Sequence, residues 1–295
     1  MSVSNSRRQS HAFLTADSMS LMLRLCRAAL ICFLIPLFSR SQTAPATKPT
    51  PLLHVHAHND YLHEHPLFDA MDRGYCSVEA DIHLVAADLL VAHDAKSIQP
   101  GRTLQSLYLD PMRQRIGENA GRLYRNGPPV VLLIDVKTPF DVTYPVLRNI
   151  LAGYADILTS WKDGHKTQGA ILAIVTGNRD QKIIAADNPR WCACDGGLAD
   201  FQSDPPAELV PWISIRWTAL FVWKAKDSPI PAFERQEIKD IVHLAHAQHR
   251  QVRFWGSPDN AAAWTELRRD GVDLLNTDDL AGCQAFLLRE IASQP

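Results

Sequence analysis

SVEADIHL at residues 77–84 and VVLLIDV at residues 130–136 decide the fold. Both are short, nearly continuous apolar runs, and both carry acids: Glu79 and Asp81 in the first, Asp135 in the second. Strands buried on both faces read this way, and such strands belong to a parallel sheet covered by helices. Further runs at 52–56, 171–176, 212–217, 252–255 and 272–276 read as strands, with a weakly marked one at 194–198. Helices are expected between them at 66–73, 104–116, 141–154, 231–248, 259–269 and 279–291. Pro258-Asp259 opens one helix and Gly271 closes it, while Ile238, Ile241, Val242 and Ala245 form one face of another. Eight strand–helix units in ~250 residues predict an α/β chain folded as a single (β/α)8 TIM barrel over 51–295. A doubly wound open sheet is the alternative. No internal repeat and no linker to a second domain is visible.

The first residues read as an address. Residues 28–38 are 11 apolar residues counting Pro36, too short to span a bilayer as a helix. Arg24 and Arg27 precede them, and Ser39-Arg40-Ser41 follows with small residues at the two positions read on cleavage. A basic flank, a short apolar centre and a small-residue exit make 1–41 a signal peptide. The expectation is therefore an exported protein, periplasmic or extracellular, with 42–50 as a short tether. Among 295 residues, 46% are hydrophobic and 21% charged, which is globular composition and excludes disorder. Lys and Arg number 30 against 32 Asp and Glu, so a basic surface for nucleic acid is not expected. With one apolar stretch in the signal, no stable membrane insertion is expected after its removal. Cys76, Cys192, Cys194 and Cys283 are too few for a disulfide scaffold.

Histidine is unevenly distributed. Seven of the chain's 12 histidines fall between residues 54 and 93: His54, His56, His58, His63, His65, His83 and His93. Glu79 and Asp81, two apart on one strand, project to the same side. In the C-terminal half of a barrel strand that side faces the mouth, where active sites lie. Converging carboxylates repel unless a proton or cation joins them, and a hard divalent ion is the natural partner. Asp135 ends a buried run, where a charge is costly unless paired or coordinated, and is the expected third acid. Lys137, two residues on, faces the same mouth and would attract an anion; a plain Asp135–Lys137 surface pair is the bland alternative. His93 lies far enough past Asp81 for a strand, a turn and a return. His58 ends the first strand. Imidazoles at this place suit general acid and base work.

HNDY (58–61), SVEADIHL (77–84), LLVAHD (89–94) and LLIDVK (132–137) resemble the phosphatidylinositol phospholipase C-like phosphodiesterase superfamily. RFWGSPDN (253–260) and GVDLLNTDDL (271–280) are similar to the last two barrel units of its glycerophosphodiester phosphodiesterases. The opening His-x-His-Asn-Asp-Tyr is similar to the altered inheritance of mitochondria protein 6 subgroup. The resemblance implies a TIM barrel with one Ca2+ or Mg2+ ion. It implies Asn59, Glu79, Asp81 and Asp135 as metal ligands. His58, His93 and Lys137 fall on catalytic positions, with His56 and Trp255 at the substrate. Depending on the branch aligned, His56 or His58 takes the first catalytic place. The glycerophosphodiesterase His-Arg-Gly and Glu-Asn-Thr elements are absent, so glycerophosphodiester specificity does not carry over. The implied substrate is a small phosphodiester or phospholipid headgroup.

Two rivals come from other classes. His56-x-His58 also opens metal-dependent amidohydrolases, which need further histidines on middle strands. A non-catalytic barrel binding phospholipid or sugar is the other. His243, His246 and His249 would fan across about 120° of a helix, too wide for one ion. Phe221 and Trp223 are read as core or pocket lining.

Overall fold

The computed structural model describes residues 49–226 and 228–293. The expected signal and most of the expected tether lie outside the described residues. Eight parallel strands form the barrel: β1 Val55–Ala57, β2 Ser77–Val85, β3 Val130–Val136, β4 Ile171–Gly177, β5 Ala193–Gly196, β6 Trp212–Arg216, β7 Gln251–Trp255 and β8 Leu275–Thr277. Each pairs in parallel with its sequence neighbour from β1 to β7, and β8 returns to β1. A parallel bridge between Arg253 and Leu274 joins β7 to the start of β8 and closes the ring. Helices follow the strands: α1 Phe68–Met71, α2 Asp110–Glu118, α3 Phe140–Ala152, α4 Gln181–Ala185, α5 Asp200–Ser203, α6 Ala232–Ala247, α7 Ala261–Arg269 and α8 Leu280–Ser293. The chain is a (β/α)8 barrel, not the open sheet.

Boundaries depart from the apolar pattern where pairing, not composition, decides. The first strand starts at Val55, and Leu52 makes only an isolated bridge to Tyr75. The last starts at Leu275, and the fifth is Ala193–Gly196. The helix expected over 66–73 shrinks to Phe68–Met71, entered through Leu67 at φ 68° and followed by Gly74 at φ 91°. The one expected from 104 begins as a wide π turn, Gln105–Leu109, before α2. A small hairpin, Ser160–Lys162 with His165–Thr167, was not foreseen. No described helix is long and apolar enough to cross a membrane.

Packing divides into an outer and an inner core. Outward side chains such as Val78, Ala80, Ile82, Leu132 and Ile134 are buried beneath the helices. Full burial of such side chains stabilises by ~1.5–3 kcal/mol each. Inside the barrel, Leu133, Ile174, Ala193, Trp212 and Leu274 form an apolar layer. Two residues further along the same strands stand Asp135, Thr176, Asp195, Ser214 and Asn276. The period-two alternation of strands keeps these on the inward side. The interior therefore changes from apolar to polar toward the C-terminal strand ends. The site is built on that upper layer.

Candidate active site

β2 and β3 pair with Asp81 directly opposite Asp135, while Glu79 stands opposite Leu133 one layer lower. This register brings Glu79, Asp81 and Asp135 together, with one carboxylate oxygen from each lying within 4.8 Å of the others. Lys137 alone supplies an ammonium here: its Nζ is 2.7 Å from Asp135 Oδ2 and 2.9 Å from Asp81 Oδ2. Asp81 Oδ1 and Asp135 Oδ1 are buried with no hydrogen-bond partner. Burial, then the charges of Glu79 and Asp135, push the Asp81 carboxyl up to about 6. Burial opposes protonation of Lys137, but its bond to Asp135 and the charge of Asp81 raise its pKa overall. Three acids against one ammonium, with two orphaned oxygens, are the donor set that a hard divalent cation completes. The residues therefore fit such an ion.

Gly177 is part of this construction. It ends β4 at φ 71°, and a Cβ there would sit 2.0 Å from Asp135 Oδ1. Glycine is needed both for the left-handed backbone and for the space the carboxylate occupies.

The histidines separate clearly. His56 is fully buried: Nδ1 is 2.6 Å from Ser77 Oγ and Nε2 is 3.3 Å from Glu79 Oε2. A carboxylate only accepts, so Nε2 carries the proton and Nδ1 accepts from Ser77. Burial, then the nearby Arg253 charge, push its pKa down to about 4. His56 also stands edge-on to Trp212, with ring centroids 5.9 Å apart. The resemblance implied His56 at the substrate; the structure corrects this, because it lies beneath the cavity and positions Glu79. His58 follows the strand end and lines the cavity. Its Nδ1 is 2.9 Å from Asp278 Oδ1, and its Nε2 is 3.9 Å from Glu79 Oε2. Burial works against protonation of His58, but the bond to Asp278 and the charge of Glu79 raise its pKa.

His93 reaches the site by a return of the chain. β2 runs beyond the barrel and folds back on Asp88–Val91, pairing antiparallel from Ile82–Val91 to Val85–Asp88. That return puts His93 Nδ1 3.4 Å from Asp81 Oδ2. Its side chain is 58% exposed, at the mouth. The Tyr61 hydroxyl lies 2.7 Å from both Asn59 Oδ1 and Asp81 Oδ2, and 3.1 Å from His93 Nδ1. Asn59 lines the cavity beside the acids at φ 48°, with its amide oxygen facing Tyr61. Burial and then His56 and Arg253 act on Glu79 in opposite senses; the partners prevail and hold it below the usual carboxylate range.

The cavity above these groups has a volume of about 310 Å³ and is walled on its far side by Arg179, Asp195, Ser214, Arg253 and Trp255. Arg253 is 3% exposed and ties the two sides: Nη1 is 3.7 Å from Glu79 Oε2, Nη2 is 3.7 Å from Asp195 Oδ2, and Nε donates to Ser214 Oγ. Of the residues expected at the site, His58, Asn59, Glu79, His93, Asp135, Lys137 and Trp255 line this cavity. Asp81 lies just beneath, 1% exposed. Lys137, expected as free positive charge, is instead shared between two carboxylates. Arg253, Asp195 and Asp278 were missed. A charge within the apolar runs QVRFW and ACDG was the available signal, since a buried charge needs a partner. His246 bonds Asp273, and His243, His246 and His249 form no metal cluster among the described residues.

The AIM6-like phosphodiesterase domain matches residues 46–126, and the glycerophosphoryl diester phosphodiesterase family matches residues 251–281. The first segment contains His58, Glu79, Asp81 and His93; the second contains Arg253, Trp255 and Asp278. Over these two segments the chain is similar to the AIM6-like phosphodiesterase domain and to the glycerophosphoryl diester phosphodiesterase family. Altered inheritance of mitochondria protein 6 of Eremothecium gossypii is 26% identical over 288 residues, covering 84% of this chain and 73% of that protein. The homolog from Arthroderma benhamiae is 26% identical over 264 residues, covering 79% of this chain and 83% of that protein. The Saccharomyces cerevisiae protein is 28% identical over 286 residues, covering 81% and 72%. Among solved structures, a glycerophosphodiester phosphodiesterase from Agrobacterium tumefaciens aligns with a TM-score of 0.48 at 13% identity, over 80% of this chain and 100% of that one. One from Parabacteroides distasonis aligns at 0.47 and 15% identity, over 84% and 100%.

Proposed function

We propose that the chain is a divalent-cation-dependent phosphoric diester hydrolase acting on a small phosphodiester or phospholipid headgroup. The observation that carries this reading is the carboxylate cluster with two partnerless oxygens, set at the base of a cavity that also presents His58 and His93. Glu79, Asp81 and Asp135, with Asn59 beside them, would hold one Ca2+ or Mg2+. Bound there, the ion would polarise a non-bridging phosphate oxygen and offset charge developing at phosphorus.

The chain's own groups supply the rest. His58 Nδ1 lies 2.9 Å from Asp278 Oδ1 and 3.0 Å from Asn59 Nδ2; with its proton on Nδ1 toward Asp278, Nε2 would be the basic nitrogen. His58 takes the proton from the attacking hydroxyl, one that neighbours the phosphate on the substrate. Protonated His93, at the mouth, gives its proton to the leaving oxygen. Lys137, paired with Asp81 and Asp135, would turn its remaining N–H toward a phosphate oxygen. The immediate product is a cyclic phosphate. Trp255 offers the substrate an apolar wall, and His56 fixes Glu79 from below. The arginine-flanked apolar run at 28–38 supports action in the periplasm or outside the cell.

The amidohydrolase alternative needs histidines on the middle strands, and Ile171–Gly177, Ala193–Gly196 and Trp212–Arg216 contain none. The test strips the full-length chain with chelator and restores Ca2+ or Mg2+. Cleavage of glycerophosphoinositol, both of whose alcohols carry a hydroxyl next to the phosphate, is then followed. Cation-dependent release of a cyclic phosphate is expected. A folded chain that binds the ion and does not cleave the diester would support the non-catalytic barrel instead.

A further inference from the structure

The cavity has two unlike ends. One is the carboxylate cluster. The other is formed where β4 to β7 end, by Thr176, Arg179, Asp195, Ser214, Arg253 and Trp255. Asp195 is the only acid lining this end among the described residues, and it is 2% exposed with each oxygen bonded to a hydroxyl. Thr176 Oγ1 donates to Oδ2 at 3.0 Å, Ser214 Oγ donates to Oδ1 at 2.7 Å, and Arg253 Nη2 stands 3.7 Å from Oδ2. Its burial and its pairing with Arg253 turn this charge into the wall and away from a cationic ligand.

The cations at this end are in a different state. Arg179 is half-buried and aimed by backbone carbonyls: Nε donates to Asp195 O at 2.7 Å and Nη1 to Gly177 O at 3.2 Å. Carbonyls fix its direction without cancelling its charge. Arg216 does not line the cavity itself; it is exposed at the rim, with its guanidinium 5.4 Å from the centroid of the Trp255 ring. Among the described residues, neither arginine comes within 4.0 Å of a carboxylate oxygen. Lys137, by contrast, is shared by two acids.

This matters for what the far end can accept. A quaternary or primary ammonium is recognised by aromatic faces and unspent carboxylates. Here the aromatic face already carries a guanidinium, a second uncancelled guanidinium stands in the wall, and the one carboxylate is buried beside Arg253. Guanidinium N–H groups donate well to hydroxyl oxygens. We propose that this end is the specificity subsite for the alcohol half of the phosphodiester. It takes a hydroxyl-rich alcohol without positive charge, and Arg179 and Arg216 exclude choline- and ethanolamine-type groups. The inference rests on the phosphodiesterase reading and names the substrate class of the same site.

The test uses the full chain and matched diesters that differ in headgroup charge: glycerophosphoglycerol and glycerophosphocholine, with glyceryl 4-nitrophenyl phosphate, which keeps the neighbouring hydroxyl, as the reference without a natural headgroup. Glycerophosphoglycerol should exceed glycerophosphocholine in kcat/KM by roughly tenfold or more, corresponding to ~1.4 kcal/mol. In Arg179→Glu combined with Arg216→Gln, that ratio should fall to about one or invert, whatever the absolute rate. Calorimetric binding of the same two diesters gives a ratio that does not need turnover. Loss of all turnover with the binding preference intact would overturn the catalytic reading and leave the subsite standing. Equal binding and equal kcat/KM, or a preference that the double variant leaves unchanged, would overturn the subsite. The same alcohol is also presented by phosphatidylglycerol vesicles. Cleavage of either source in preference to its choline counterpart supports the proposal, and the responding arm identifies a lipid or a soluble diester.

Discussion

Asp81→Asn separates what the acidic cluster costs the fold from what it does for the site. Asp81 is 1% exposed and faces Asp135 across the β2–β3 ladder. Its carboxyl is pushed up from 3.8 to about 6, by burial first and then by Glu79 and Asp135. The folded state therefore holds this proton more tightly than the unfolded chain does. Below the unfolded value both states are protonated and the group costs nothing. As pH rises through the folded value, the ionised side chain subtracts stability, until above it the loss is complete. At ~1.36 kcal/mol per pH unit, that loss is about 3 kcal/mol at about pH 8 in chelated protein. Asparagine keeps an acceptor for Tyr61 and Lys137 and removes the charge. Scanning calorimetry in chelator should show Tm higher in the variant by roughly 5–10 °C at about pH 8, with the gap closing by about pH 4. Adding Ca2+ or Mg2+ in hundredfold excess over Kd should stabilise the unsubstituted chain by ~2.7 kcal/mol and the variant little. A variant less stable than the parent in chelator at about pH 8, or one with an undiminished cation response, would refute the reasoning.

Other outcomes follow from the same geometry. His93→Ala should lose turnover by a factor of ~10²–10⁴ while keeping the cation-induced rise in Tm, since His93 is at the mouth and outside the acid cluster. Asp278→Asn removes the bond that raises the His58 pKa, so the acid limb of the kcat/KM profile should move to lower pH as the rate falls; a limb that stays in place would deny His58 the role of base. Gly177→Ala places a Cβ against Asp135 Oδ1 at a φ of 71°. It should cost ~1–2 kcal/mol for the left-handed backbone alone and abolish the cation response. A full cation response in that variant would show that Asp135 is not needed where it stands.

The barrel was legible because its strands are apolar on both faces and its helices are punctuated by proline and glycine. Strand ends were less legible. Leu52 and Val272 continue the apolar pattern, yet neither belongs to a ladder, because continuous pairing starts at Val55 and Leu275, with only isolated bridges at Leu52 and Leu274. Glu79 and Asp81 announced themselves by their spacing of two, and Asp135 by a charge at the end of a buried run. That Asp81 meets Asp135 depends on inter-strand register, which no single segment encodes. His56 and His58 share the same spacing and the same side. Only depth separates them, since β1 ends at Ala57 and His58 emerges into the cavity. Arg253 and Asp195 sit 58 positions apart in sequence and meet only across the closed interior. Their separate strands showed buried charges without showing the partners.

The most direct test of the central claim measures cation binding and phosphodiester hydrolysis together, in the full chain and in Glu79→Gln. The account predicts one tightly held Ca2+ or Mg2+ per chain, glycerophosphoinositol cleavage that rises in step with occupancy, and loss of both in the variant. Cleavage that persists after complete chelation, or that survives in Glu79→Gln while cation binding is lost, would contradict it.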